Sequence, residues 1–105
     1  MDATILISDP WDFGTECGAG SFNGRVVARN ESAILIGLES AVCYRRKTFC
    51  GIIAKPRHAP TFAGVDRAKE PTATNLFLVT SLDALLLEQT IPIDSMVAAG
   101  SLQLR

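Results

Sequence analysis

The chain of 105 residues is poor in the residue types that build most catalytic and metal sites. It has one histidine, His58, and three cysteines, Cys17, Cys43 and Cys50, with no CxxC spacing. Because a structural zinc site needs four ligands, usually in closely spaced pairs, we expect no metal site and no cofactor. Cys43 and Cys50 could face each other across a hairpin. We nevertheless expect inert, reduced thiols of the kind that pack as small apolar side chains.

The sequence also lacks motifs of nucleophilic and nucleotide chemistry. The glycine-rich stretch at 14–24 does not complete GxGxxG, and neither GxxxxGK[ST] nor GxSxG occurs, so these glycines are typical of turns. His58 could act with Cys50, and the carboxylates of Asp9, Asp12 and Glu16 could act together. Nothing in the pattern favours either arrangement over solvated loop residues. We therefore predict that the chain is not an enzyme and assign no catalytic residue.

Long apolar runs are absent as well. The longest nearly charge-free stretches, 33–38 and 76–82, fall far short of the ~20 residues that a membrane-spanning helix needs. The first residues have no basic region of the kind that opens a secretory signal. We expect a protein of the cytosol that does not enter a membrane.

What the chain does contain is a series of short apolar runs separated by turn residues. Such spacing favours a mainly β or α+β fold, a small antiparallel β-barrel or sandwich-like single domain over residues 1–105, with one or two short helical turns. The segment from about 24 to 55 predicts an antiparallel meander, which stops at Pro56. The predicted strands lie at 4–7, 25–29, 33–39, 41–44, 48–55 and 75–80.

Four further segments have weaker patterns. Residues 56–74, with three prolines, predict a long loop. Residues 81–88 fit either a short helix capped by Ser81 or a buried strand. Residues 94–100 are typical of one helical turn, and the alternation in 101–105 is typical of a final edge strand.

Charge is distributed unevenly along the chain. Residues 1–21 carry a net charge of −4, residues 22–58 of +5 and residues 59–105 of −2, although the whole chain has a net charge of −1. The basic segment offers anion-binding candidates at Arg45, Arg46, Lys47 and Arg57. Nucleic-acid domains are usually basic overall and carry interleaved aromatic residues, so nucleic acid is disfavoured as a partner. Neutralisation by the acidic N-terminal segment, within the molecule or across a dimer, is the favoured interpretation.

A second candidate surface surrounds the only tryptophan. Trp11 and Phe13 stand beside Asp12 in a segment rich in proline and glycine, where large rings often anchor an interface or a small ligand. The alternative is that Trp11 closes one end of the barrel. His58, in the proline-bounded loop, is the remaining ligand or interface candidate.

The mean hydropathy of +0.24 is high for a chain with only 7% aromatic residues, and it indicates apolar surface covered by a partner. We predict a non-enzymatic protein-binding or adaptor module that associates with itself or with a protein partner. An immunity-type inhibitor is one version of this hypothesis. The alternatives left open are a small-molecule-binding barrel and a binder of anions or nucleic acid through the basic segment.

Overall fold

The computed structural model describes residues 2–9, 20–58, 61–62, 71–89 and 96–104. Six antiparallel strands, joined in chain order, close into a barrel, which confirms the mainly β, barrel-like fold predicted from the sequence. The predicted meander from 24 to 55 is confirmed within it. The strands are β1 (Asp2–Asp9), β2 (Ser21–Arg29), β3 (Ile34–Tyr44), β4 (Lys47–Pro56), β5 (Thr72–Val79) and β6 (Ala98–Leu104).

The barrel closes through β6, which pairs with β1 on one side and with β5 on the other. Leu102 lies opposite both Ile5 and Thr72. The segment predicted as a final edge strand at 101–105 is a strand over its described part. Its predicted place at an edge was wrong, because β6 has a neighbouring strand on each side. Alternating apolar and polar residues mark a strand with one buried face, and this condition holds equally at an edge and in a closed barrel.

The predicted helical turn at 94–100 was also wrong over its described part. Ala98, Ala99 and Gly100 begin β6, and the amide of Val97 donates to the carbonyl oxygen of Leu76 at 3.0 Å. A Cβ at Gly100 would overlap the carbonyl oxygen of Leu6 on the neighbouring strand. This glycine therefore serves close strand packing and does not end a helix.

An inner core fills the barrel. Its members recur at every second position of their strands, because successive side chains of a strand point to opposite faces. Burying a leucine or isoleucine side chain contributes about 1.5–3 kcal/mol relative to leaving it exposed. Thr74 is buried two residues before Leu76, and its hydroxyl has no hydrogen-bond partner. Fully buried inner residues include Ala3, Ile5, Ile34, Ile36, Ile52, Ala54, Leu76, Ala98 and Leu102.

A second apolar cluster lies outside the barrel wall, and we call it the covered face. Ala33, Leu35, Ile53 and Phe77 form it at positions that alternate with those of the inner core. Leu86, Leu87 and Met96, from the connection between β5 and β6, pack over these residues. Leu35 and Ile53 have no exposure, so β3 and β4 are buried on both faces there. Burial on both sides explains the uninterrupted apolar runs in these strands.

The ambiguous segment 81–88 is a 3₁₀ helix over Ala84–Glu88. Its N-cap is Asp83, whose side chain accepts a hydrogen bond from the amide of Leu85 at 2.9 Å. The predicted cap, Ser81, was wrong by two positions. Asp94, at the start of the predicted later turn, lies outside the described residues. Within the described part of the chain, no helix is long and apolar enough to cross a membrane.

Residues 33–39 and 41–44, predicted as separate runs, lie in the single strand β3, which a large bulge interrupts. Gly37 pairs with Gly51 and Val42 with Phe49, so that residues 38–41 lie opposite one residue of β4. Bulges bend the strand that carries them. Beyond this bulge, Val42, Tyr44 and Phe49 pack against the inner core.

The long loop predicted at 56–74 is shorter, because β5 begins at Thr72. Pro56 ends β4, as predicted. Within the loop, Phe62 is buried against the inner core, and its amide donates to the carbonyl oxygen of Glu31 at 2.8 Å. Phe62 therefore closes the barrel end at which β2 meets β3 and β4 meets β5.

Candidate interaction surfaces

The structure divides the predicted anion-binding residues into two groups. Arg45, Arg46 and Lys47 lie at the tip of the β3–β4 hairpin, whereas Arg57 follows the far end of β4. At ~3.3 Å per residue, the ten residues from Lys47 to Arg57 separate the two groups by roughly 30 Å. The four cations predicted to bind anions therefore do not form one site.

The hairpin tip has an unusual backbone. Tyr44 pairs with Lys47, which leaves Arg45 and Arg46 as a two-residue turn with φ angles of 50° and 65°. Positive φ at both positions is the mark of a type I′ turn, which normally holds Asn-Gly or a similar pair. Two arginines in this region strain the backbone, at about 1–3 kcal/mol for each residue.

The side chains of the tip are exposed, but the ring beneath them is not. The guanidinium carbon of Arg45 lies 5.2 Å from the centroid of the Tyr44 ring. Tyr44 is itself buried against the inner core, so the ring that Arg45 contacts has a fixed position. Arg46 and Lys47 extend into solvent beside it. The tip presents three positive charges on a fixed hairpin.

His58 and Arg57 are exposed at the opposite end of the barrel. The amide of Arg57 donates to the carbonyl oxygen of Ala73 at 3.0 Å, which continues the β4–β5 pairing. Cys50 lies within β4, six residues or roughly 20 Å of strand before its end at Pro56, whereas His58 lies beyond that end. The structure therefore does not bring the histidine and this thiol together.

Of the remaining candidates, the structure describes only Cys43 and Cys50. Trp11, Asp12 and Phe13 lie outside the described residues, as does Cys17. Cys43 and Cys50 are not in a disulfide with each other, and Cys43 is exposed, contrary to the expectation of an apolar, packed side chain. In the segments that the structure describes, His, Cys, Asp and Glu form no group that could hold a metal ion.

Sequence reasoning missed a groove on the outer side of β2 and β3, which we call the Leu82 groove. It is half open to solvent and has a volume of about 590 Å³. Leu82, from the start of the β5–β6 connection, forms one wall. The groove is lined by Asp2, Asn23, Gly24, Arg25, Val27, Gly37, Leu38, Glu39 and Leu82.

A pair of facing glycines shapes this groove. Gly37 and Gly51 lie opposite each other on β3 and β4, and the Leu82 side chain rests above both. A Cβ at Gly51 would lie 2.7 Å from Leu82 Cδ2, and one at Gly37 would lie 3.2 Å from Leu82 Cδ1. The missing side chains thus leave the notch that Leu82 occupies. Facing glycines could have been recognised in the sequence only with the strand register known.

Exposed apolar side chains occur in the groove and on the 3₁₀ helix that follows Leu82. Val27 is 45% exposed, Leu82 41% and Leu85 61%. Leu85 stands on the 3₁₀ helix, which contacts β2 and β3. We call the Leu82 groove together with Val27 and Leu85 the open face. Exposed apolar groups concentrated in one place are typical of interaction sites.

The rim of the open face carries both signs of charge. Arg25 Nε lies 3.4 Å from Asp2 Oδ1, and both side chains are largely exposed. Glu39 lines the same groove. An exposed ion pair of this kind contributes little to stability, because solvent screens it. Its charges remain accessible to a partner.

A smaller depression lies beside β1 and β6, next to the Leu82 groove but with no lining residue in common with it. It has a volume of about 290 Å³ and is lined by Thr4, Leu6, Pro71 and Gln103. Leu6 is 45% exposed there. This single exposed leucine is a useful reference for the open face, since it has similar exposure on a different surface.

The chain matches no protein-family model, no curated protein and no solved structure. The open face and the hairpin tip are the two surfaces of the described residues that carry candidate binding groups.

Proposed function

We propose that this chain is a non-enzymatic protein-binding module that self-associates through its open face. The observation that carries the proposal is that two exposed apolar side chains, Val27 and Leu82, line one groove, while the exposed Leu85 stands on the 3₁₀ helix that contacts β2 and β3. These are three of the four large apolar side chains that are exposed among the described residues. Covering apolar surface of this kind is the usual driving force of association.

A second copy of the chain suits this surface because its rim is self-complementary. In a two-fold symmetric contact, the same patch of each subunit faces its counterpart. Arg25 of one copy can then meet Asp2 or Glu39 of the other, while the apolar side chains pack at the centre. Alternating charge of this kind orients partners and suppresses wrong ones more than it adds affinity.

Leu85→Glu tests the proposal directly. Leu85 is the most exposed of the three apolar side chains, so the change should alter the free energy of unfolding by less than about 0.5 kcal/mol. A charge placed in the centre of the contact should nevertheless convert a dimer into a monomer. The measurement is molar mass by light scattering or sedimentation, from about 1 μM to about 1 mM protein.

Leu6→Glu is the matched control, because it places the same charge at a similarly exposed leucine outside the open face. We expect this variant to dimerise like the unmodified chain. A monomeric unmodified chain across the whole concentration range would contradict the proposal, as would equal loss of association in both variants.

Residence in the cytosol stays a prediction.

Small-molecule binding in the Leu82 groove is the second candidate function. The volume of about 590 Å³ lies within the usual range of ligand pockets, about 300–1,000 Å³. The groove is half open, however, whereas such pockets enclose most of the ligand. A metabolite that raises the unfolding temperature, and whose effect Leu82→Ala removes, would favour this alternative.

A further inference from the structure

The hairpin tip combines strain and charge in a way that folding alone does not require. Asn-Gly at positions 45 and 46 would adopt the same turn without strain. Arg45 and Arg46 adopt it with φ angles of 50° and 65°. Strained backbone that persists at an exposed site is typical of a functional constraint.

The charged side chains of the tip are exposed. Among the described residues, neither Arg46 nor Lys47 has a carboxylate within ion-pair distance. Arg45 is oriented by the buried ring of Tyr44. A guanidinium group presents its N–H groups in a fork that matches a carboxylate. The turn places two such forks side by side, followed by a lysine.

We propose that the hairpin tip, Arg45–Lys47, is a binding site for the carboxylates of an acidic polypeptide segment. The strained turn serves to present adjacent arginines on a rigid ribbon. Because the ribbon is fixed by the packing of Val42, Tyr44 and Phe49 on the inner core, the cations lose little freedom on binding.

The arrangement favours carboxylates over nucleic acid. Three cations at one tip can neutralise only a short stretch of phosphates, and Arg57 lies roughly 30 Å away along β4. The ring nearest the tip, Tyr44, is buried and cannot stack on a base. The chain also has a net charge of −1, which opposes approach to a polyanion of high charge density.

The double variant Arg45→Asn/Arg46→Gly distinguishes an effect on peptide binding from an effect on stability, because the two should change in opposite directions. It removes two charges and supplies the residues that the turn prefers. We expect its unfolding temperature to rise by about 10 °C or more, because the strain at both positions is relieved. We expect its affinity for a dye-labelled oligoglutamate peptide to fall at least about tenfold. The affinity of the unmodified chain should decrease as salt is raised from low concentration to about 0.15 M.

Arg57→Asn is the control for Arg46→Gly, since each removes one exposed arginine, at opposite ends of β4. We expect Arg57→Asn to bind the peptide as the unmodified chain does. No peptide binding at low salt would overturn the proposal. So would equal loss of affinity in the two single variants, tighter binding of duplex DNA than of the peptide, or a fall in the unfolding temperature of the double variant.

Because Leu85→Glu leaves the tip intact, loss of self-association and loss of peptide binding can be told apart.

Discussion

The covered face and the open face are adjacent parts of one barrel wall. The β5–β6 connection buries the apolar side chains of the first but not those of the second. On the covered face, three side chains of this connection, Leu86, Leu87 and Met96, pack on the cluster. The residues beneath them, Leu35, Ile53 and Phe77, are at most slightly exposed. Over the open face the connection contributes Leu82 and Leu85, which remain 41% and 61% exposed. Apolar groups outside the barrel are therefore buried by the chain itself in one place and left exposed in the other.

The largest effect should come from the covered face. Ile53→Ala removes three carbons from a side chain with no exposure, and the cavity adds to the lost burial. We expect the free energy of unfolding to fall by about 3 kcal/mol in urea titration. Leu85→Ala should change it by less than about 0.5 kcal/mol. Similar losses at the two positions would remove the distinction between the faces.

A smaller loss is expected where the two faces meet. Gly51→Ala would place a Cβ 2.7 Å from Leu82 Cδ2 and 2.9 Å from the carbonyl oxygen of Ile36. The leucine can turn away, but the backbone oxygen cannot, so we expect destabilisation of about 1–3 kcal/mol in urea titration.

Gly37→Ala is the comparison for this change. Its Cβ would meet only the side chains of Leu82 and Val27, each at 3.2 Å, and we expect a loss below about 1 kcal/mol. If Gly37→Ala were the more destabilising variant, the notch would not have the shape described here.

Asn30 ties the connection to the β2–β3 turn. Its side-chain oxygen accepts from the amides of Ser32 and Ala33, and its Nδ2 donates to the carbonyl oxygen of Leu87 at 3.2 Å. Asn30→Ala should cost about 1–2 kcal/mol in urea titration. Asn30→Asp, which keeps the turn bonds but not the donor to Leu87, should recover part of this loss. No recovery would mean that the turn bonds contribute nothing.

The sequence predicted the barrel because its short apolar runs are separated by turn residues at regular spacing. It could not predict the open face, which needs Gly37, Gly51 and Leu82 to meet, three residues whose proximity depends on strand register. Periodicity also failed at Ala98–Gly100, where small residues fit a helical turn as well as a tightly packed strand. At the tip, composition indicated the charge, whereas the positive φ angles follow from the Tyr44–Lys47 pairing.

The smallest effect on stability is expected at the rim of the open face. Arg25→Gln removes an ion pair whose side chains are 84% and 58% exposed, so we expect less than about 0.5 kcal/mol in the free energy of unfolding. If the proposed dimer forms, its dissociation constant should nevertheless increase, because Arg25 would then face the acidic rim of the second copy. An unchanged dissociation constant would show that the rim does not take part in association.

The most direct test of the open face is the change in backbone amide NMR shifts between dilute and concentrated protein. We expect the changes to group at residues that line the Leu82 groove, namely Gly24, Arg25, Gly37, Glu39 and Leu82. Changes confined to Thr4, Leu6 and Gln103, or no change at any concentration, would contradict the account.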